Sequence, residues 1–163
     1  MGEDKLTDTL LSQPQAADSS PNLGEQQVSL VAEEGASLSS GSLRLYALPS
    51  GSSPKLGEGA PKGGGVCGAI DLYNYDPMNH RCGVGIMVAT EYRRQGYALA
   101  MLQALSLHPP LSTLHSLYAD IAATNTASIA LFRKAGYTEC GHFREWLNIG
   151  DNYIDTLRMQ KIL

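Results

Sequence analysis

Apolar residues along this chain alternate over several short runs and, in one place, recur at helical spacing. Residues 42–48, Ser-Leu-Arg-Leu-Tyr-Ala-Leu, alternate and predict a strand. Strands are also expected over 66–73 and 81–88, joined by a stretch with turn composition, Asn74-Tyr75-Asp76-Pro77-Met78-Asn79. Ala98, Met101, Leu102 and Leu105 then fall at i, i+3, i+4 and i+7, the pattern of an amphipathic helix that Pro109-Pro110 cannot continue. A short apolar strand over 117–121 leads to a second helix, capped by Asn125 or Thr126. Its Ala127, Ala130 and Leu131 are expected to face a sheet, and Gly136 to close it in the left-handed conformation. A hairpin ends the chain, 140–147 against 153–159, turned through 148–152. Strands that alternate with helices and then run as hairpins predict an α/β fold with a mixed sheet.

The N-terminal part is patterned more weakly. Residues 1–22 are rich in Gln, Ser, Asp, Thr and Pro and have little apolar surface to offset the cost of ordering, so they are expected to be poorly ordered. Residues 23–163 are then a single domain. Leu23, Val28, Leu30 and Val31 form a faint helical stripe that Gly35 could end. Gly and Ser dominate the loop 49–65. Its Gly63-Gly64-Gly65 precedes a strand and not a helix, so it reads as a flexible hairpin tip and not as a phosphate loop.

Composition narrows the partners. With 163 residues and a net charge of −4, the chain has room for one ordinary core and carries no broad basic face, which disfavours nucleic acid. The three cysteines, Cys67, Cys82 and Cys140, lack the spacing of a disulfide framework or a zinc site, and the four histidines lack metal-ligand spacing. A cytoplasmic protein without metal is expected. No apolar run reaches the ~18 residues needed to cross a bilayer, and the N-terminus lacks the order of a signal peptide, so no membrane partner is expected.

The candidate chemistry lies between the strand 81–88 and the helix after it, in Arg93-Arg94-Gln95-Gly96-Tyr97-Ala98. The first N–H groups of a helix lack intrahelical partners and stand at the positive end of its dipole, while Gly96 and Ala98 keep side chains out of the way. Such a turn can hold a pyrophosphate. Arg93, Gly96 and Ala98 as Arg-x-x-Gly-x-Ala resemble the acetyl-coenzyme A motif of the GNAT N-acetyltransferases. A second block, Asn125 to Tyr137, resembles that family's later helix, opened by Asn and closed by Gly and an aromatic residue. The likeness extends over about 43–163. Within the superfamily it is nearest to the spermidine and the ribosomal-protein N-terminal acetyltransferases, through Gly68-Ala69-Ile70-Asp71-Leu72 and the hairpin from Glu145-Trp146 to Arg158-Met159.

The resemblance implies a mostly antiparallel sheet flanked by helices, acetyl-CoA as co-substrate, and transfer of acetyl to a primary amine of a small molecule or a protein N-terminus. The alternative it leaves is a coenzyme A binding module without catalysis; assembly into a homo-oligomer is left open. It implies that the strand before the turn splays from its neighbour, so that backbone groups near Ile86, Met87 and Val88 meet pantetheine. The amides of Gln95, Gly96, Tyr97 and Ala98 would hold phosphate, helped by Arg93 and Arg94, and Asn125 would touch pantetheine. Relatives place a proton-donating Tyr four residues before the helix-ending Gly. That position here is Phe132, which has no proton to give. The polyamine enzymes carry an acid where this chain has Gly83. Glu145 is the favoured base, with His142, Asp71 and Tyr137 as other candidates, and Cys140 is expected to be a packing thiol. The family also begins with a strand and one or two helices, for which this chain has too little patterned sequence.

Overall fold

The computed structural model describes residues 26–32, 36–50, 65–108 and 111–163; residues 1–22 and the glycines 63 and 64 lie outside them. The elements are β1 (Val28–Ala32), β2 (Ser42–Pro49), β3 (Gly68–Asp76), β4 (Arg81–Val88), α1 (Tyr97–Ser106), β5 (Ser116–Ala122), α2 (Thr126–Lys134), β6 (Thr138–Ile149) and β7 (Asn152–Ile162). They form one seven-stranded sheet in the order β1-β2-β3-β4-β5-β7-β6. Every neighbouring pair is antiparallel except β4 and β5, which are parallel.

Side chains alternate along a strand, so the registers sort the sheet into two faces. Leu43, Leu45, Ile70, Leu72, Val84, Leu117, Ala119 and Met159 share one face and are buried there. Both helices pack against it. Met101, Leu102 and Leu105 of α1 are fully buried, each stabilising by roughly 1.5–3 kcal/mol, and the Met101 side chain lies against Gly68 of β3. On α2, Ile129 and Phe132 are the buried residues, whereas Ala127 and Ala130 are exposed and Leu131 is half-buried. This corrects the face expected from the sequence: burying Ile129 and Phe132 removes more apolar surface from water than burying two alanines.

The opposite face carries Arg44, Asp71, Tyr73, Gly83, Tyr118, Asp120 and Arg158. Among the described residues no α-helix covers it. The segment 28–32, expected to be helical, is instead the edge strand β1, with Val28 opposite Pro49 and Leu30 opposite Ala47. Five residues are too few for a stable helix, but the pairing with β2 satisfies their backbone groups and places Val28, Leu30 and Ala32 against the core. β1 passes to β2 through a 3-10 turn at Leu38–Ser40.

β3 also runs further than the turn composition suggests, to Asp76. The Asp76 carboxylate accepts hydrogen bonds from the N–H groups of Met78 (3.1 Å) and Asn79 (3.0 Å), so the turn begins after it. The final hairpin is longer than expected but turns at Gly150 as its composition suggests.

Candidate active site

The parallel pair β4–β5 is in register at only three rungs, Arg81↔Ser116, Cys82↔Leu117 and Gly83↔Tyr118. β4 continues to Val88 while paired on its other side with β3, as far as Gly68↔Val88. From Val84 to Val88, roughly 14 Å at ~3.4 Å per residue, one edge of β4 therefore lacks a strand partner among the described residues. Ile86, Met87 and Val88 border this gap. Ile86 and Val88 are half-buried towards the helices, and Met87 is exposed on the open face.

The gap runs towards the turn. Gly96 is the N-cap of α1 with φ +90°, a left-handed conformation natural to glycine, and Arg94 adopts φ +59°. The helix's first backbone bond runs from the Ala100 N–H to the Gly96 carbonyl at 3.1 Å, so the N–H groups of Tyr97 and Ala98 precede its ladder. The Arg93 Nε donates to the Val88 carbonyl (3.0 Å) and Gln95 Nε2 donates to the Glu91 carbonyl (2.6 Å). Gln95 thus braces the turn with its side chain, and Arg93 ties it to the end of β4. Edge-to-face packing of Tyr92 on Tyr97 at 5.3 Å supports the turn from below. These features fix the backbone of the turn and leave the first amides of α1 outside its ladder.

Asn125 caps α2, its Oδ1 accepting from the Ser128 N–H at 3.1 Å. It follows the end of β5, beyond the last rung shared with β4, and its side-chain N–H₂ makes no hydrogen bond among the described residues. Phe132, 3 % exposed, packs edge-to-face on Tyr137 at 4.9 Å. Tyr137 is buried with no partner for its hydroxyl among the described residues, and burial pushes its phenol pKa far up. It is a core residue, overlain by Lys161, whose Nζ donates to Ser106 Oγ and the Ala135 carbonyl.

Glu145 lies in a bulge of the edge strand β6, exposed, with φ +49°. Its N–H donates to Asp155 Oδ1 at 2.8 Å, and His142 Nε2 meets Asp155 Oδ2 at 2.7 Å. These two hydrogen bonds, that from the Glu145 amide first, hold the Asp155 carboxyl below its ordinary range. Glu145 and His142 thus share a partner, and both stand two strands from the gap.

On the open face three carboxylates are each matched by an arginine: Asp71 with Arg44 (2.5 Å), Asp76 with Arg81 (3.0 Å) and Asp120 with Arg158 through two bonds of 2.7 Å. A hollow of about 460 Å³ is lined there by Asp76, Arg81, Tyr118, Cys140 and Arg158, and another of about 450 Å³ by Arg44, Asp71 and Tyr73. Cys140 is exposed at the first hollow and not packed as expected. Cys67 and Cys82 are the packed thiols, and burial raises the pKa of both, that of Cys82 to about 11. A further cleft, about 610 Å³, lies between α1 and the β1 edge and reaches the turn before α1 only at Gly96.

Sequence reasoning missed Tyr73, whose ring lies over Gly83 and partly over Gly85. The signal available was the pair of glycines in β4, which leave room for a neighbour's side chain.

The sequence model of the acetyltransferase (GNAT) domain matches residues 40–138. The spermidine N(1)-acetyltransferase of Vibrio cholerae is 27 % identical over 95 residues, which are 58 % of this chain and 55 % of the relative. This chain thus matches little more than half the length of that protein. The crystal structure of spermidine N-acetyltransferase from Vibrio cholerae in complex with CoA and spermine superposes with a TM-score of 0.63 at 21 % identity, covering 76 % of this chain and 67 % of that one. A dodecameric structure of the Vibrio cholerae enzyme in an intermediate state gives 0.60 at 20 % identity, covering 75 % and 65 %. The matched domain takes in the whole run from β2 through the strand gap, the turn before α1 and α2, and on that ground the chain belongs to the GNAT acetyltransferase family.

Proposed function

We propose that this chain transfers the acetyl group of acetyl-CoA to a primary amine, of a small molecule or of a protein N-terminus, by direct attack of the amine on the thioester. One observation carries the reading: β4 loses its β5 partner after Gly83 and leads, along a free edge, to the N-terminus of α1. The amides of Gln95, Gly96, Tyr97 and Ala98 suit a pyrophosphate, with Arg93 and Arg94 adding charge. The backbone at Ile86, Met87 and Val88 suits the amides of a pantetheine arm, and the Asn125 side chain its upper end. The co-substrate supplies an activated acyl group with a thiolate leaving group. The chain's part is to fix it against an amine, and such positioning can lower a barrier by ~7–11 kcal/mol.

Because α1 and α2 fill one face of the sheet, the acceptor enters from the other. There Asp71, Asp76 and Asp120 are each neutralised by an arginine, which supports an acceptor of low charge over a polyamine. Glu145, exposed on the edge strand, is the carboxylate proposed to draw off the ammonium proton through water. An unchanged pH profile of kcat/KM in Glu145→Gln would remove it from that role.

The test is thiol release from acetyl-CoA with polyamines, amino acids and short peptides, with the product mass measured. Acceptor-dependent release with an acetylated product supports the reading. Cofactor binding without release from any amine would favour the second reading, a coenzyme A binding module, which the buried, hydroxyl-free Phe132 supports. Exposed Trp146, Leu147, Ile149 and Tyr153 at the hairpin support self-assembly, and light scattering that finds a monomer at working concentration would refute it.

A further inference from the structure

Tyr73 stands opposite Gly83 across the β3–β4 pair. A side chain at 83 would strike ring atoms Cδ2, Cε2 and Cζ of Tyr73, and one at 85 would come within 3.9 Å of Cε1. The ring therefore lies across β4 on the open face, over two glycines, with its hydroxyl-bearing carbon at Gly83. Beyond it Tyr118 of β5 packs edge-to-face, centroids 6.1 Å apart. Gly83↔Tyr118 is also the last rung that joins β4 to β5. The phenol thus overhangs the closed end of the gap, where an arm that enters at the phosphate turn and follows β4 must finish.

We propose that Tyr73 is the proton donor to the departing thiolate, taking the part that Phe132 cannot play. The inference rests on the acetyl-transfer reading above. As the nitrogen–carbon bond forms and the carbon–sulfur bond breaks, the phenol proton passes to sulfur. The proton released by the amine nitrogen returns to the phenol oxygen through water, so that the net transfer is from nitrogen to sulfur. Tyr118, the other phenol on this face, has its ring covered by the Arg158 guanidinium at 4.7 Å, whereas the Tyr73 ring lies over the glycines of β4. Asp71 and Asp120 are carboxylates held by Arg44 and Arg158, and Tyr137 is buried on the helix side.

The charged and titratable groups that act on the phenol are Tyr118 and Asp120 from β5 and Arg158 from β7, and Asp71 with its partner Arg44, from β3 and β2, lines the same hollow as Tyr73. β4 offers only glycine there. Burial, then the Asp120 charge, raises the phenol pKa, so the proton is in place throughout the physiological range.

The experiment compares the native chain with Tyr73→Phe by calorimetric binding of coenzyme A and by ultraviolet titration of the bound thiol. Affinity is expected to change less than about threefold, whereas the bound thiol should ionise about one pH unit or more higher in the variant. With an acceptor from the amine panel, kcat should fall by ~10²–10⁴. Gly83→Ala, which displaces the ring, should shift the thiol titration in the same direction, a check that does not depend on the folding of Tyr73→Phe. Identical thiol titrations in all three proteins overturn the proposal. Failure of the native chain to bind coenzyme A overturns both it and the acetyl-transfer reading. Binding with the expected titration shift but no acetylated amine overturns the transfer reading alone and leaves the phenol–sulfur contact supported.

Discussion

Arg93 donates from Nε to the Val88 carbonyl at 3.0 Å, tying the last residue of β4 to the turn that opens α1. The bond uses only the Nε of a planar guanidinium that carries two further nitrogens. Arg93→Ala should loosen the turn and weaken acetyl-CoA binding about tenfold. Arg93→Lys should not restore it, because a lysine has a single charged tip and cannot hold Val88 and an anion together. Calorimetry on both variants decides; full recovery in the lysine variant would reduce Arg93 to a point charge.

Gly96 takes φ +90°, and the nearest atom to an added β-carbon would be Gln26 Cγ at 3.6 Å. There is room for a side chain, so the cost of one is backbone strain, ~1–3 kcal/mol. Gly96→Val should therefore disorder the first turn of α1 and lower acetyl-CoA affinity at least tenfold, with circular dichroism otherwise preserved. Unchanged affinity would show that the pyrophosphate lies elsewhere.

At Gly83 the limitation is space. Overpacking of this kind costs ~1–3 kcal/mol. Gly83→Ala should lower the thermal midpoint, and the loss should be smaller in a Tyr73→Ala background, where the obstructing ring is gone. Additive losses in the double mutant would mean that the two residues do not press on each other.

Phe132 is almost wholly buried against Tyr137, so the oxygen added by Phe132→Tyr enters a core with no identified partner for it. An unsatisfied hydroxyl costs ~1–3 kcal/mol, and each kcal/mol lowers the midpoint of a chain this size by roughly 2–4 °C. With Tyr73 as donor, kcat should not rise. A gain of tenfold or more would return the acid role to α2.

Asp155 joins His142 to the Glu145 bulge, and its folded-state pKa lies below the ordinary 3.8. The native state then binds fewer protons than the unfolded state around that value. The stabilisation is present above about pH 3.8 and disappears as pH falls through the folded pKa. Asp155→Asn should be less stable than the native chain at pH 7, with the difference narrowing in acid, as read by urea unfolding. Some acid sensitivity should persist in the variant, since Asp76 is lowered in the same way by Asn79. A gap between the two proteins that stays constant down to pH 2 would contradict the pairing.

The sequence by itself determined what depends on near neighbours. Gly96 ahead of Tyr97 to Leu105, Asn125 three residues before Ser128, and Gly136 past the end of α2 are signals within one or two turns of chain, and each lies where its spacing placed it. Strand 81–88 was legible because its own residues alternate. Tertiary structure decided the rest. Val28 to Ala32 became a strand because β2 offered an edge, a fact absent from those five residues. Arg44 is 27 residues from Asp71 and Arg158 is 38 from Asp120, so the neutral character of the open face depends on which strands are neighbours. Period 2 says that a strand has two faces, but not what lies beside it. The placing of Tyr73 over Gly83 and the end of β4–β5 pairing on that same rung are likewise matters of register between strands distant in sequence. They decide where a proton donor stands, and no local pattern contains them.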